Sequence, residues 1–162
     1  MQDNTITVQP DPAGRCLTFA PRYREIGDRY LTLAADEVLA AVVLPPPDGW
    51  RSGYAKGRIR DAIDFPLASV AMALRRDGNV IGGLRVAITG TNSAPLPIPA
   101  DELIGRAPDD AAAAILAQAV RRKANVLRTT VVGASYRRRL VQALGRRLME
   151  TLWNNDHEWG TQ

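Results

Sequence analysis

One cysteine, Cys16, and one histidine, His157, stand among 162 residues. A lone cysteine excludes an intrachain disulfide framework. It also excludes a cysteine-only zinc or iron–sulfur site held by this chain. A lone histidine excludes an HExxH zinc site and leaves any Ser–His–Asp arrangement dependent on a residue near the end of the chain. The longest apolar run without a charge, Val38 to Pro47, is too short to span a bilayer. The opening MQDNTITVQPD lacks the basic-then-apolar pattern of a secretory leader. No GxxxxGK[ST], GxGxxG or GxSxG motif is present. A soluble, reducing, cytoplasmic setting is the default expectation.

What is present is ordinary globular composition: 46% hydrophobic and 23% charged, with 21 Lys and Arg against 17 Asp and Glu for a net charge of +4. That surplus is too modest to mark a nucleic-acid protein by itself. The length fits one compact domain. Residues 1–22 are polar and carry Pro10, Pro12, Gly14 and Pro21. They read as a linker or the remnant of something larger, with short extended pieces at 5–8 and 16–19. The domain is expected over 23–153, with a flexible tail at 154–162.

Four strands are expected. Val38 to Leu44 is continuously apolar and stops at three prolines. Gly53 to Arg60 alternates, with Tyr54, Lys56, Arg58 and Arg60 on one face. Ser69 to Arg75 runs into Asp77-Gly78, a two-residue hairpin signal, and Val80 to Thr89 returns. Gly82-Gly83 in the return strand signals a bulge or a close approach. Gly90 to Pro99, with three prolines, reads as a surface loop. Helices follow: a short one at 100–104 stopped by Gly105, one opening at Pro108-Asp109-Asp110 and ending in Arg121, Arg122 and Lys123, and a last one capped by Ser135 and running to about Trp153. Leu140, Leu144, Leu148 and Leu152, with Val141 and Tyr136, mark its core face. Strands first and helices last give an α+β fold, an antiparallel sheet with helices on one face.

Chemistry is sparse. Asp61 and Asp64 form either a metal-binding pair or a solvated turn. His157 and Glu158 lie in the expected tail. Arg137, Arg138, Arg139, Arg146 and Arg147 on the last helix read as a phosphate stripe, a solvated face, or a face that docks a partner protein. Arg137 and Arg138 sit about 100° apart on the helical wheel and no aromatic stands between the arginines, which disfavours nucleic acid. The densest signal is Tyr54 through Phe65, where Lys56, Arg58 and Arg60 share one strand face. Such a face is either solvated or meets something anionic, because an unpaired buried lysine is costly.

Taken in order, Glu37-Val38-Leu39, Val43-Leu44-Pro45, Tyr54-x-Lys56-x-x-x-Arg60-x-x-x-Asp64-Phe65, Ser69 to Leu74, Leu84 to Gly90, Gly133-Ala134-Ser135-Tyr136-Arg137-Arg138-x-Leu140 and Leu144-x-x-Arg147 carry a family resemblance. The sequence resembles, over about residues 23–153, the C-terminal domain of the FAD-binding (medium) subunit of molybdenum hydroxylases, the xanthine dehydrogenase and carbon monoxide dehydrogenase family. The wording of 58–75 is most similar to the 4-hydroxybenzoyl-CoA reductase β subunit. The resemblance implies three or four antiparallel strands covered by about three helices. It implies electron transfer between FAD and iron–sulfur clusters of a neighbouring subunit, with the molybdenum cofactor and substrate in another. It places Leu39 and Lys56 beside the flavin ring: an apolar side chain packs on the isoalloxazine, and a cation favours the negative charge gained on reduction.

The family holds the FAD pyrophosphate with glycine-rich loops in an N-terminal half, and nothing of that kind precedes residue 23. The cysteines of the acyl-CoA reductase's extra cluster insert are lacking too. The expectation is therefore a fragment or stand-alone domain, inactive as an isolated chain and binding FAD weakly or not at all alone. Faces left bare by absent neighbours would favour self-association. The alternative reading is a non-enzymatic interaction module docking an acidic protein through the exposed arginines.

Overall fold

The computed structural model describes residues 48–60, 65–91, 95–123 and 133–154, together with two short strands at 7–8 and 17–18. The chain divides into two units, Met1–Asp48 and Gly49–Gln162. In the first, β1 (Thr7–Val8) pairs antiparallel with β2 (Leu17–Thr18), inside the two pieces read as extended. Val38 to Leu44 lies outside the described residues.

The second unit is a four-stranded antiparallel sheet in the order β3 (Trp50–Gly57), β4 (Ala68–Asp77), β5 (Val80–Thr89), β6 (Leu96–Ile98). Helices α1 (Asp110–Lys123) and α2 (Ala134–Asn154) follow. The α+β class and the antiparallel sheet agree with the sequence. Among the described residues the helices are two plus one 3-10 turn at Asp101–Leu103, rather than three.

The β4–β5 hairpin turns at Gly78-Asn79, one residue past the expected Asp77-Gly78, and Gly78 takes a φ of 56°. Register slips between Arg75 and Arg76, with Gly82 as the extra residue opposite them. One slipped residue exchanges the two faces of a strand. Beyond the bulge, Leu84, Val86 and Ile88 therefore turn inward with Leu74, Met72 and Val70. β6 corrects the reading of 90–99 as a loop. Leu96 and Ile98 pair with Ile88 and Val86, while Pro97 stands between them. An edge strand tolerates proline because its outward positions need no ladder N–H, and the prolines blunt that edge.

Helix α1 starts as expected, with the Ala112 N–H donating to Asp109 Oδ1 at 2.8 Å. It buries Ala112, Leu116 and Val120. α2 runs antiparallel to it, since Asp110 meets Arg146 and the Gln142 amide donates to the Ala117 carbonyl. Arg146 Nε also donates to Glu150 Oε1 at 2.9 Å. That bond, then the charges of Asp110 and Glu150, push the Arg146 guanidinium above its ordinary pKa, making it a fixed cation between the helices.

α2 is pinned to the sheet at both ends by arginines. At its C-terminal end Arg51 Nη1 reaches the carbonyls of Leu152 (3.4 Å) and Trp153 (3.5 Å). Arg76 Nη1 donates to the Trp153 carbonyl at 3.4 Å and stacks on the Trp153 ring at 4.3 Å. These cations meet the negative end of the helix dipole. At its other end Arg137, only 8% exposed, donates from Nη1 to the Gly90 carbonyl at 3.0 Å. This corrects two readings. Arg137 belongs to the interior rather than to a basic docking face, and Tyr136, expected in the core, is 48% exposed. Arg137→Met, which keeps the stem and removes the donor, is expected to cost roughly 1.5–3 kcal/mol, the range for a hydrogen bond to a charged group. The urea midpoint measures this, and Arg137→Lys should recover part of the loss.

Candidate functional site

The two faces of the sheet differ in kind. The inner face holds the long apolar side chains of β4 and β5 under α1 and α2. On β3 that face is made of Gly53, Ala55 and Gly57, so the α2 leucines can lie close against the strand. A Cβ at Gly57 would stand 2.5 Å from Leu140 Cδ2, and one at Gly53 2.9 Å from Leu148 Cδ1.

The other face is built from small side chains in rows set by register. Lys56 pairs with Ser69 and Ser69 with Thr89. Tyr54 pairs with Ala71, Ala71 with Ala87 and Ala87 with Pro97. Ser52 pairs with Ala73 and Ala73 with Arg85; Trp50 pairs with Arg75 and Arg75 with Gly83. Rows two residues apart are separated by roughly 7 Å and neighbouring strands by about 4.8 Å. Ala71, Ala73 and Ala87 thus form a low apolar floor, with Tyr54 (56% exposed) and the exposed Lys56 rising beside it on β3.

Such a floor accepts a flat ring system, because no side chain on it stands higher than a methyl group. The ammonium of Lys56 supplies a positive charge at one border of the floor. Ser69 and Thr89 line the same border, their hydroxyls 2.5 Å apart. Ser69 is fully buried, and its hydroxyl is satisfied by this bond.

Of the residues singled out from sequence, Lys56 stands on this face together with Tyr54. Leu39, Asp61, Asp64, His157 and Glu158 lie outside the described residues. Arg58 and Arg60 are exposed but fall past the end of β3, which closes at Gly57, so they extend no cationic strand face. The Ser69–Thr89 pair and the Trp50–Arg75–Arg85 group on this face escaped the sequence reading. The signal for both is the cross-strand register, which follows only once the bulge at Gly82 is placed.

The chain matches the profile of the CO dehydrogenase flavoprotein C-terminal domain over residues 53–152. It is 35% identical over 97 residues to the aldehyde oxidoreductase FAD-binding subunit PaoB of Escherichia coli (strain K12), a stretch covering 58% of this chain and 29% of that subunit. The fold matches reconstituted CO dehydrogenase from Oligotropha carboxidovorans with a TM-score of 0.74 at 23% identity, covering 91% of this chain and 51% of that one. It matches quinoline 2-oxidoreductase from Pseudomonas putida 86 with a TM-score of 0.73 at 23% identity, over the same shares. At those identities the two solved structures speak to fold alone. The chain spans about half the length of these solved chains and less than a third of PaoB.

Proposed function

Because the chain belongs to the CO dehydrogenase flavoprotein C-terminal domain family, we propose that it forms one wall of the flavin site in the FAD-binding subunit of a molybdenum-dependent oxidoreductase. The observation that carries this reading is the alanine floor bordered by Tyr54 and the exposed Lys56. FAD, when bound, supplies the redox chemistry that links the substrate-oxidising subunit to one-electron iron–sulfur carriers.

The chain's own residues then have distinct tasks. Ala71, Ala73 and Ala87 give the ring a flat apolar seat; Leu39, outside the described residues, is the further ring contact that the family resemblance implies. Lys56 places a fixed positive charge beside the ring and favours the added negative charge of the reduced form. The ring's phosphates are held by a further domain, and the iron–sulfur and molybdenum subunits are the partners. From residues 58–75 the reading takes an aromatic acyl-CoA as substrate of the assembled enzyme, checked by comparing its turnover with that of aldehydes. A cytoplasmic setting completes it; no helix among the described residues is long and apolar enough to cross a membrane.

The test is purification of the native assembly through a tag on this chain, followed by a visible spectrum and metal analysis. Flavin absorbance with iron and molybdenum is expected. A colourless, metal-free chain recovered alone would overturn the reading and bring the interaction-module alternative forward. In the flavin-loaded assembly, Lys56→Met removes a cation that favours the more negative, reduced form, so the flavin potential should fall. A charge effect of roughly 1.4–2.8 kcal/mol corresponds to about 30–60 mV for a two-electron couple. Lys56→Arg should leave the potential close to its starting value.

A further inference from the structure

The α1–α2 pair is matched in charge at one end and unmatched at the other. Where α1 begins and α2 ends, Asp110 and Glu150 both hold Arg146, at 2.8 and 2.9 Å. The two helices carry no other acid. Where α1 ends and α2 begins, Arg121, Arg122, Lys123, Arg138 and Arg139 come together, all exposed. The sequence joining those two ends, 124–132, adds Arg128 and no acid.

The contacts between the helices fix which cations face one another. The Gln142 amide donates to the Ala117 carbonyl across the helix seam. Residues four apart share a helix face. One turn beyond that contact on each helix stand Arg121 and Arg138, so two arginine positions meet where the other end of the seam joins Asp110 to Arg146. Like charges held so close are unfavourable. The negative end of the α1 dipole gives Arg121, Arg122 and Lys123 a local reason to be there. No such reason exists for Arg138 and Arg139, which lie toward the positive end of α2.

We propose that this end of the helix pair docks an acidic stretch of a partner polypeptide, with a carboxylate seated between Arg121 and Arg138. An anion there turns the repulsion between the two guanidinium groups into attraction to a shared partner. Each guanidinium offers two parallel N–H groups that match a carboxylate, and four of the five cations are arginines. Arg122, Lys123 and Arg139 around them suit further acids of the same stretch, and raise the rate at which it is found. Nucleic acid fits less well. The five cations gather at one end instead of tracking a backbone, and Tyr136, the exposed aromatic of that turn, shares the β3 side of α2 with Leu140. The site is independent of the flavin reading, because the helices cover the inner face of the sheet and the alanine floor lies on the other.

The test uses the full chain and a fluorescein-labelled, capped decapeptide of alternating Glu and Asp, followed by anisotropy at low salt and at about 150 mM salt. Saturable binding is expected. Arg121→Gln with Arg138→Gln should weaken it roughly tenfold. Arg138→Lys, which keeps the charge but not the fork, should weaken it by about threefold. Arg75→Gln with Arg147→Gln removes the same charge from exposed positions elsewhere and should change affinity less than about twofold. Arg138→Glu separates docking from folding. It sets an acid opposite Arg121 and near the positive end of α2, so the urea midpoint should rise while peptide binding is lost. Absence of saturable binding, an equal loss in the Arg75–Arg147 double variant, a lowered urea midpoint in Arg138→Glu, or tighter binding of an oligonucleotide of equal charge at the higher salt would each overturn the proposal.

Discussion

Leu74→Ala is expected to destabilise the sheet–helix unit by roughly 2–5 kcal/mol, the span measured for leucine truncation in well-packed cores. Leu74 is fully buried on β4, the strand paired on both sides, and faces the layer where α2 packs. Leu84 stands opposite it in register, and Val86 and Met149 belong to the same buried cluster, all less than a tenth exposed. Such a site closes poorly over a lost isobutyl group, because β-ladders on both sides hold the backbone in place. The loss is a large share of the roughly 5–15 kcal/mol that holds a typical domain together. At roughly 2–8 °C per kcal/mol, the thermal midpoint should fall by roughly 4–40 °C. Ser52→Ala, on the exposed face of β3, is expected to stay within about 0.5 kcal/mol. Parallel urea titrations of the two variants check both statements. Equal losses would mean that the two faces of the sheet are not inner and outer.

The two-faced sheet was legible from the sequence where local signals suffice. β5 runs Val80 to Thr89 as read, because alternation, a hairpin dipeptide and a glycine pair agree. β3 begins at Trp50 rather than Gly53 because β4 extends to Asp77 and offers Arg75 as a partner, a length that only the ladder sets. β6 was hidden by its prolines, which read as loop unless one knows that their missing N–H groups point off the sheet edge. The leucines of α2 face the core unequally for a geometrical reason. A series spaced by four advances about 40° per step around the wheel, so four leucines drift off one line. The buried line runs through Arg137, Val141, Gly145, Leu148, Met149 and Leu152. Leu140 and Leu144 flank it, and Tyr136 falls outside. A buried arginine at the head of an apolar stripe has no local signature; its reason is the Gly90 carbonyl, 47 residues earlier. For the candidate site, the sequence singled out Lys56 with Tyr54. The alanine floor beside them is spread over two further strands and needed the register.

Gly57→Ala is expected to cost about 1–3 kcal/mol, the usual range for overpacking, although it adds one methyl group and favours strand entropy. The added Cβ would stand 2.5, 2.9 and 3.0 Å from Leu140 Cδ2, Cδ1 and Cγ, so the whole isobutyl group must move and not only its tip. Leu140 has little room to turn, since Val141 beside it is fully buried and Arg137, one turn earlier, is tied to Gly90. The strain therefore passes to the backbone spacing between α2 and β3. This links stability to the proposed site, because Lys56 is the next residue along the strand and points to the opposite side. Thermal and urea midpoints of Gly57→Ala, Leu140→Ala and the double variant form a cycle. Leu140→Ala alone loses packing, but in the Gly57→Ala background it removes the clash, so the double variant should be more stable than the sum of the singles by about 1 kcal/mol or more. Additive losses would mean that α2 does not lie against Gly57. In the flavin-loaded assembly, Gly57→Ala should also weaken flavin retention while Lys56 itself is unchanged, and the Leu140→Ala partner should restore it. Such recovery would tie the glycine on the inner face to the charge on the outer one.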